Sequence, residues 1–149
     1  SGINFTVTGR RLSRQTYYIM PKIRELDRFM ETAGRQLTIH EFHPELGFLA
    51  LNRFIPLKFS KKTAAGQQER QQILSRSIPS ARGITAMAKK RFLRRQARVD
   101  DILDALCGAV TAAFRDHFIF LPDIPETDPH GLPMQIVYAD PDICRPSPA

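Results

Sequence analysis

Apolar side chains in the first third of the chain recur every three or four positions, which is the spacing of one helical face. They are Ile19, Ile23, Leu26 and Met30. Ser13 precedes them and suits the N-cap of a helix, while Gly34 suits its C-cap. Pro21 lies inside the pattern and predicts a kink or a break, with Pro21 opening a second segment. Residues 1–12 are polar and predict irregular structure.

Residues 36–43 are rich in residue types that favour extended backbone, and they predict a strand. Alternation along a strand separates two sets of side chains, Leu37, Ile39, Glu41 and His43 on one face and Thr38, His40 and Phe42 on the other. Pro44 ends this strand and can open a short helix through Leu51, with Glu45 in its first turn. A loop or a weak strand is expected over residues 52–59.

The second half of the chain predicts more helix than strand. Thr63 is placed to cap a helix that runs to about Ser77, and residues 87–97 form a basic segment that can be helical. Asp100 is the expected N-cap of an apolar helix that continues to about His117, since the helix dipole favours an acidic start. Residues 134–138 predict a last strand. Because only two strands are predicted, either the sheet is small or part of it lies outside this chain.

Charge is distributed unevenly along the 149 residues, whose net charge is +7. Residues 1–52 carry a charge of +2, residues 53–98 carry +12 with Glu69 as their one acid, and residues 99–149 carry −7. A basic block of this kind attracts a polyanion such as a nucleic-acid backbone. The candidate contacts are Lys61, Lys62, Lys89, Lys90, Arg91, Arg94 and Arg95. The alternative is that these side chains form an ordinary solvated face.

Cysteine content and hydropathy limit the cellular context. Cys107 falls in the apolar helix and Cys144 in a proline-rich tail, an arrangement that favours reduced thiols over a disulfide scaffold. No apolar run reaches the roughly 18 residues that a membrane span requires. No signal peptide is recognisable at the start, so we expect a single cytoplasmic domain over residues 1–149 without a membrane anchor.

The acidic residues at the start of the apolar helix are the strongest chemical signal. Asp101 and Asp104 are three residues apart and therefore share a helix face. A carboxylate at the edge of a buried helix needs a counter-charge, which a divalent cation can supply. Glu41, on the predicted strand, could complete part of a Mg²⁺ or Mn²⁺ site suited to phosphodiester cleavage. The alternative is helix capping, which also enriches aspartate at helix starts.

Two further patterns leave alternatives open. His40 and His43 could hold Zn²⁺ or Fe²⁺, but strand alternation sends them to opposite faces, and the helical zinc motif is absent. Either histidine could equally be hydrogen-bonded in the core. Ser60-Lys61-Lys62-Thr63 leads into a helix and could hold a phosphate, although it lacks the glycine pattern of a P-loop.

Several strings along the chain together resemble the predicted RNase H-like nuclease family of prokaryotes, a domain of unknown function. In order, they are Leu12-Ser13-Arg14-Gln15, Pro21-Lys22-Ile23-Arg24-Glu25-Leu26-Asp27, Glu41-Phe42-His43-Pro44-Glu45-Leu46, Ala50-Leu51-Asn52, Ser60-Lys61-Lys62-Thr63, Asp100-Asp101-Ile102-Leu103-Asp104-Ala105-Leu106 and Gly131-Leu132-Pro133-Met134-Gln135-Ile136-Val137-Tyr138. The resemblance covers nearly the whole chain.

The resemblance implies an RNase H-like fold, a mixed sheet flanked by helices, and a metal-dependent nuclease site. Residues 101–106 also look like the last-helix motif of Holliday-junction resolvases. Carried over to this chain, the catalytic metal ligands are Glu41, Asp101 and Asp104, while Glu45 caps or orients. Family members begin with strands that carry a Gly-x-Asp motif, which has no counterpart here. We therefore expect an α/β chain that is the C-terminal portion of this fold.

Three functions follow as hypotheses. The first is a metal-dependent nuclease acting on DNA or RNA, or its truncated remnant, with Mg²⁺ or Mn²⁺ as cofactor. The second is a non-catalytic module that binds nucleic acid or a partner. The third is a structural subunit whose open sheet edge recruits a second copy or a partner strand, forming a homo-oligomer or completing the sheet.

Overall fold

The structure is a computed structural model that describes residues 2–32 and 36–143. It divides into two compact units, residues 1–39 and residues 40–149. The single domain expected over residues 1–149 stays a prediction. The expected C-cap Gly34 and the cysteine at position 144 lie outside the described residues.

The described part of the first unit contains two α-helices, α1 (Gly2–Thr8) and α2 (Arg14–Glu31). Ser13 is the N-cap of α2 as predicted, since its Oγ accepts a hydrogen bond from the backbone N–H of Thr16 at 3.0 Å. The irregular structure expected before Ser13 was wrong, because α1 occupies most of that stretch. Of the kink or break expected at Pro21, the break and the second segment were wrong, since α2 continues through Pro21, and the kink stays a prediction. A proline removes one backbone hydrogen bond from a helix, and the hydrogen bonds of the turns on either side maintain the rest of α2.

Among the described residues, the second unit contains four α-helices and a short 3-10 helix, Arg115–His117. The α-helices are α3 (Pro44–Leu51), α4 (Ala64–Ser77), α5 (Ala81–Arg91) and α6 (Val99–Ala113). The predictions for α3 and α4 are confirmed, and Thr63 caps α4 by accepting from the N–H of Gly66 at 3.1 Å. The capping role predicted for Asp100 was wrong: Arg98 is the N-cap of α6, and Asp100 lies in its first turn. Among the described residues, no helix is both long and apolar enough to cross a membrane.

Three short strands form a mixed sheet in the order β1-β3-β2, with β1 (Glu41–Phe42), β2 (Phe118–Leu121) and β3 (Ile136–Ala139). β1 pairs with β3 in parallel, and β2 pairs with β3 in antiparallel. The strand predicted over residues 36–43 is therefore confirmed only at its end, because only Glu41 and Phe42 find pairing partners in β3. The sheet is small and helix-flanked, and the predicted α/β class is confirmed.

The core of the second unit lies between α3, α4 and α6. Its largest fully buried side chains are Phe48, Leu74, Leu103 and Cys107. α3 approaches α6 closely at Gly47, where an added Cβ would lie only 2.9 Å from the Cys107 sulfur. This packing brings the first turn of α3 beside the middle of α6, and that junction carries the candidate site.

Candidate functional site

Asp104 projects from α6 with one carboxylate oxygen paired and the other unpaired. Its Oδ2 accepts a hydrogen bond from Lys61 Nζ at 2.8 Å. Its Oδ1 is buried and has no hydrogen-bond partner within the described part of the chain. The side chain is 18% exposed, so this free oxygen gains little from bulk water. A buried carboxylate oxygen of this kind is a candidate position for a bound cation.

Glu45 brings a second carboxylate to the same lysine from the first turn of α3. Its Oε1 lies 3.6 Å from Lys61 Nζ, and its Oε2 accepts a hydrogen bond from Arg70 Nη2 at 2.7 Å. Lys61 therefore stands between carboxylates from two helices, with Asp104 as the nearer partner. We call Glu45, Lys61, Arg70 and Asp104 the carboxylate cluster.

Arg70 is the buried anchor of this cluster. It is 3% exposed, and its Nη1 donates to the carbonyl oxygens of Phe59 at 3.2 Å and Gly66 at 3.3 Å. Its guanidinium also lies over the Phe48 ring, 5.4 Å from the centroid. A buried arginine needs hydrogen-bond partners of this kind, and the bond from Arg70 to Glu45 holds one oxygen of that carboxylate in place.

The loop that carries Lys61 is held against α4 by hydrogen bonds from its backbone N–H groups. Glu69 accepts the N–H groups of Lys58 at 2.9 Å and Phe59 at 3.1 Å. At Gly66 the loop crosses so close to the helix that an added Cβ would collide with the carbonyl group of Ser60. The absence of a side chain at position 66 therefore permits the loop path that places Lys61 on Asp104.

The electrostatics of the cluster follow from these contacts. The hydrogen bond to Asp104 raises the pKa of Lys61 above its ordinary value of 10.5, with the charges of Asp104 and Glu45 adding to the effect against partial burial. Cys107 lies on α6 one turn beyond Asp104 and is fully buried. Burial, followed by the nearby charges of Asp104 and Glu45, raises the pKa of its thiol. The thiol is therefore neutral and inert, a core group and not a nucleophile.

The three predicted metal ligands do not form one cluster. Asp101 is exposed, and its Oδ2 accepts the backbone N–H of Arg98 at 2.9 Å, which is a helix-capping contact. Glu41 is exposed on β1. Within residues 2–32 and 36–143, no group of three His, Cys, Asp or Glu side chains is placed to hold a metal ion. Of the three, Asp104 alone belongs to the carboxylate cluster, and metal binding by any of them stays a prediction.

The histidines considered for a soft metal have other surroundings. The ring of His40 packs edge-on against Phe118 and Phe120, at centroid distances of 5.3 and 5.5 Å. His43 precedes α3 and is exposed. His40 therefore serves as an aromatic packing group at the sheet.

Most of the predicted nucleic-acid contacts lie on an exposed surface around the end of α5. We call them the basic segment: Lys89, Lys90, Arg91, Arg94 and Arg95. The first three occupy the last turn of α5, where cations also interact favourably with the helix dipole. None of the five has an ion pair among the described residues. Lys62 is likewise exposed, whereas Lys61 is engaged in the carboxylate cluster.

A cleft of about 470 Å³ opens beside the carboxylate cluster. Its walls are formed by Glu45, Leu49, Pro56, Leu57, Lys58, Phe59, Ser60, Lys61 and Arg70. Apolar side chains and cationic groups thus share one concavity, and this volume lies in the range typical of small-ligand sites.

The fold and this site define a small α/β protein in which a lysine bridges two carboxylates next to a cleft. A family model described as a protein of unknown function (DUF429) matches residues 1–127. The chain therefore belongs to this family. No curated protein and no solved structure matches it.

Asp104 was predicted from the sequence as a metal ligand and Lys61 as a nucleic-acid contact, but the two were not placed in one site. Arg70 was given no role. One signal was available for Arg70: it lies four residues after Gly66 on a helix whose few apolar residues predict partial burial. Nothing local, however, indicates that it reaches Glu45, which lies 25 residues earlier.

Proposed function

We propose that this chain is a metal-dependent nuclease of RNase H-like fold, or the part of one that carries these residues. It would hydrolyse phosphodiester bonds of DNA or RNA with Mg²⁺ or Mn²⁺. The observation that carries the proposal is the buried Oδ1 of Asp104, which has no hydrogen-bond partner among the described residues and lies beside a second carboxylate that shares the same ammonium group.

The donor set fits a hard cation. Asp104 and Glu45 offer carboxylate oxygens, and Mg²⁺ is commonly held by one or two carboxylates together with waters and substrate phosphates. The Lys61 ammonium already occupies a cationic position between them, so the site favours positive charge. Asp101 would bind the cation only after its carboxylate releases the backbone N–H of Arg98. Glu41 lies on β1. When bound, such a metal activates water and neutralises charge on the leaving oxygen.

The other residues have supporting roles in this proposal. Arg70 holds one oxygen of Glu45 and limits the freedom of that side chain. Lys61, on leaving the carboxylates, carries a positive charge at the place where the substrate phosphate approaches. The exposed basic segment supplies sequence-independent contacts to the nucleic-acid backbone.

The test is cleavage of labelled DNA and RNA with Mn²⁺ by the wild type and by Asp104→Asn. A decrease of at least about tenfold in the variant is expected, because the substitution removes a charged ligand but preserves shape, and even the outer hydrogen-bond partners of metal ligands contribute about 10–100-fold. Asp116→Asn is the matched control, since the Asp116 side chain is 85% exposed and Asp116 is not a member of the carboxylate cluster. Equal cleavage by wild type and Asp104→Asn would refute the site.

A non-catalytic nucleic-acid-binding module is the second candidate. It is favoured by Lys61, which neutralises the carboxylates without any metal, and by the exposed basic segment. Titration calorimetry with Mn²⁺ separates the two functions. Nucleic-acid binding without measurable metal binding or cleavage would establish the module, whereas metal binding that disappears in Asp104→Asn would favour the nuclease.

A further inference from the structure

We infer that the cleft beside Lys61 receives one unpaired nucleotide, so that the substrate class is single-stranded or locally opened nucleic acid. The inference rests on the proposed function, because the cleft is lined by Glu45 and by Lys61, which pairs with Asp104.

The apolar side of the cleft can accept a base. Phe59 lines it and is 51% exposed, although its backbone is held firmly by Glu69 and Arg70. Leu49 and Leu57 add aliphatic surface. A fixed backbone under an exposed aromatic ring is the arrangement by which proteins stack single bases without reading their sequence.

The charged side of the cleft can accept the adjoining phosphate. Lys58 contributes positive charge to its lining, and Lys61 and Arg70, which also line it, are ion-paired with Glu45 and Asp104. Glu45 and Lys61 both belong also to the carboxylate cluster. A nucleotide with its base against Phe59 would share the cleft with two members of the site proposed to act on it.

The size of the cleft favours an unpaired base over a duplex. A volume of about 470 Å³ lies in the lower half of the range for small-ligand sites, which suits one nucleotide. A base within a duplex is stacked and paired, and it can enter such a cleft only after it is extruded, at a cost of a few kcal/mol. An unpaired strand avoids that cost.

The experiment measures binding in EDTA, without metal or cleavage. Fluorescence anisotropy is recorded with a labelled oligothymidylate and with a duplex of equal length. The wild type is expected to bind the single strand at least about tenfold more tightly. Phe59→Ala should weaken single-strand binding by about tenfold, the usual effect of removing one stacked base, and leave duplex binding unchanged.

Phe5→Ala is the matched control, since Phe5 is 52% exposed and is not among the residues that line the cleft. Equal affinity for both strand types, or unchanged single-strand binding by Phe59→Ala, would overturn the inference. The outcome is independent of the nuclease proposal: cleavage can fail while the strand preference and the Phe59 effect remain, and cleavage can be observed in a protein that shows neither.

Discussion

Replacing Gly66 with alanine should destabilise the protein, while the same replacement at Gly83 should stabilise it. Both glycines lie inside helices, in α4 and α5. A methyl group at position 66 would lie 2.6 Å from the Ser60 carbonyl carbon and 2.9 Å from the Phe59 oxygen. At Gly83 an added methyl group meets nothing within 4 Å.

The magnitudes follow from this difference. Ordinary contact begins near 3.4 Å, so the Ser60 carbonyl carbon would have to retreat by at least 0.8 Å, the difference from 2.6 Å. Overpacking of this kind costs about 1–3 kcal/mol, against a gain of about 1 kcal/mol in helix propensity. We therefore expect Gly66→Ala to lower the free energy of unfolding by up to about 2 kcal/mol. Gly83→Ala should raise it by about 0.5–1 kcal/mol, since only the entropy of the unfolded chain changes.

The assay is equilibrium unfolding in urea, with the slope checked to be equal for all three proteins. Lys61 follows Ser60 directly, so displacement of the loop should also weaken its 2.8 Å contact with Asp104. Equal stabilisation by both variants would contradict the close approach of the loop to α4 at Gly66.

Three further predictions concern the thiol, the lysine and the basic segment. In a Cys144→Ser background, Cys107 should not react with an aromatic disulfide reagent at pH 8 until urea unfolds the protein, because burial removes access and raises its pKa; rapid reaction of the folded protein would contradict its placement. The raised pKa of Lys61 means that its ion pair stabilises the fold below about pH 10.5 and that this stability disappears as the pH rises through the folded pKa. Melting temperatures of wild type and Lys61→Met should therefore converge above pH 10.5, and a constant difference would contradict the assignment. Replacing three cations of the basic segment with alanine should reduce the slope of log affinity for DNA against log salt by about 0.7–0.9 for each phosphate that is no longer neutralised, and an unchanged slope would place the nucleic-acid surface elsewhere.

Local signals predicted the elements whose ends depend on adjacent residues. Ser13 and Thr63 cap their helices with their own side chains, and Pro44 opens α3 because its missing N–H is not needed there. Strands were predicted less well. β2 was not among the predicted strands, and most of residues 36–43 proved not to be strand. A short strand exists only where another strand supplies hydrogen bonds, and its own sequence does not identify that partner.

The sequence by itself determined the α/β class, the basic block, and the acidic residue at position 104 on the edge of a buried helix. The tertiary structure alone decided which charges meet. Lys61 and Asp104 are 43 residues apart in the chain, and Glu45 and Arg70 are 25 apart. Their contacts depend on the packing of α3 and α4 against α6 and on the loop path that Gly66 permits. Ion pairing depends on distance in space, and sequence spacing reports that distance only within a single helix or strand.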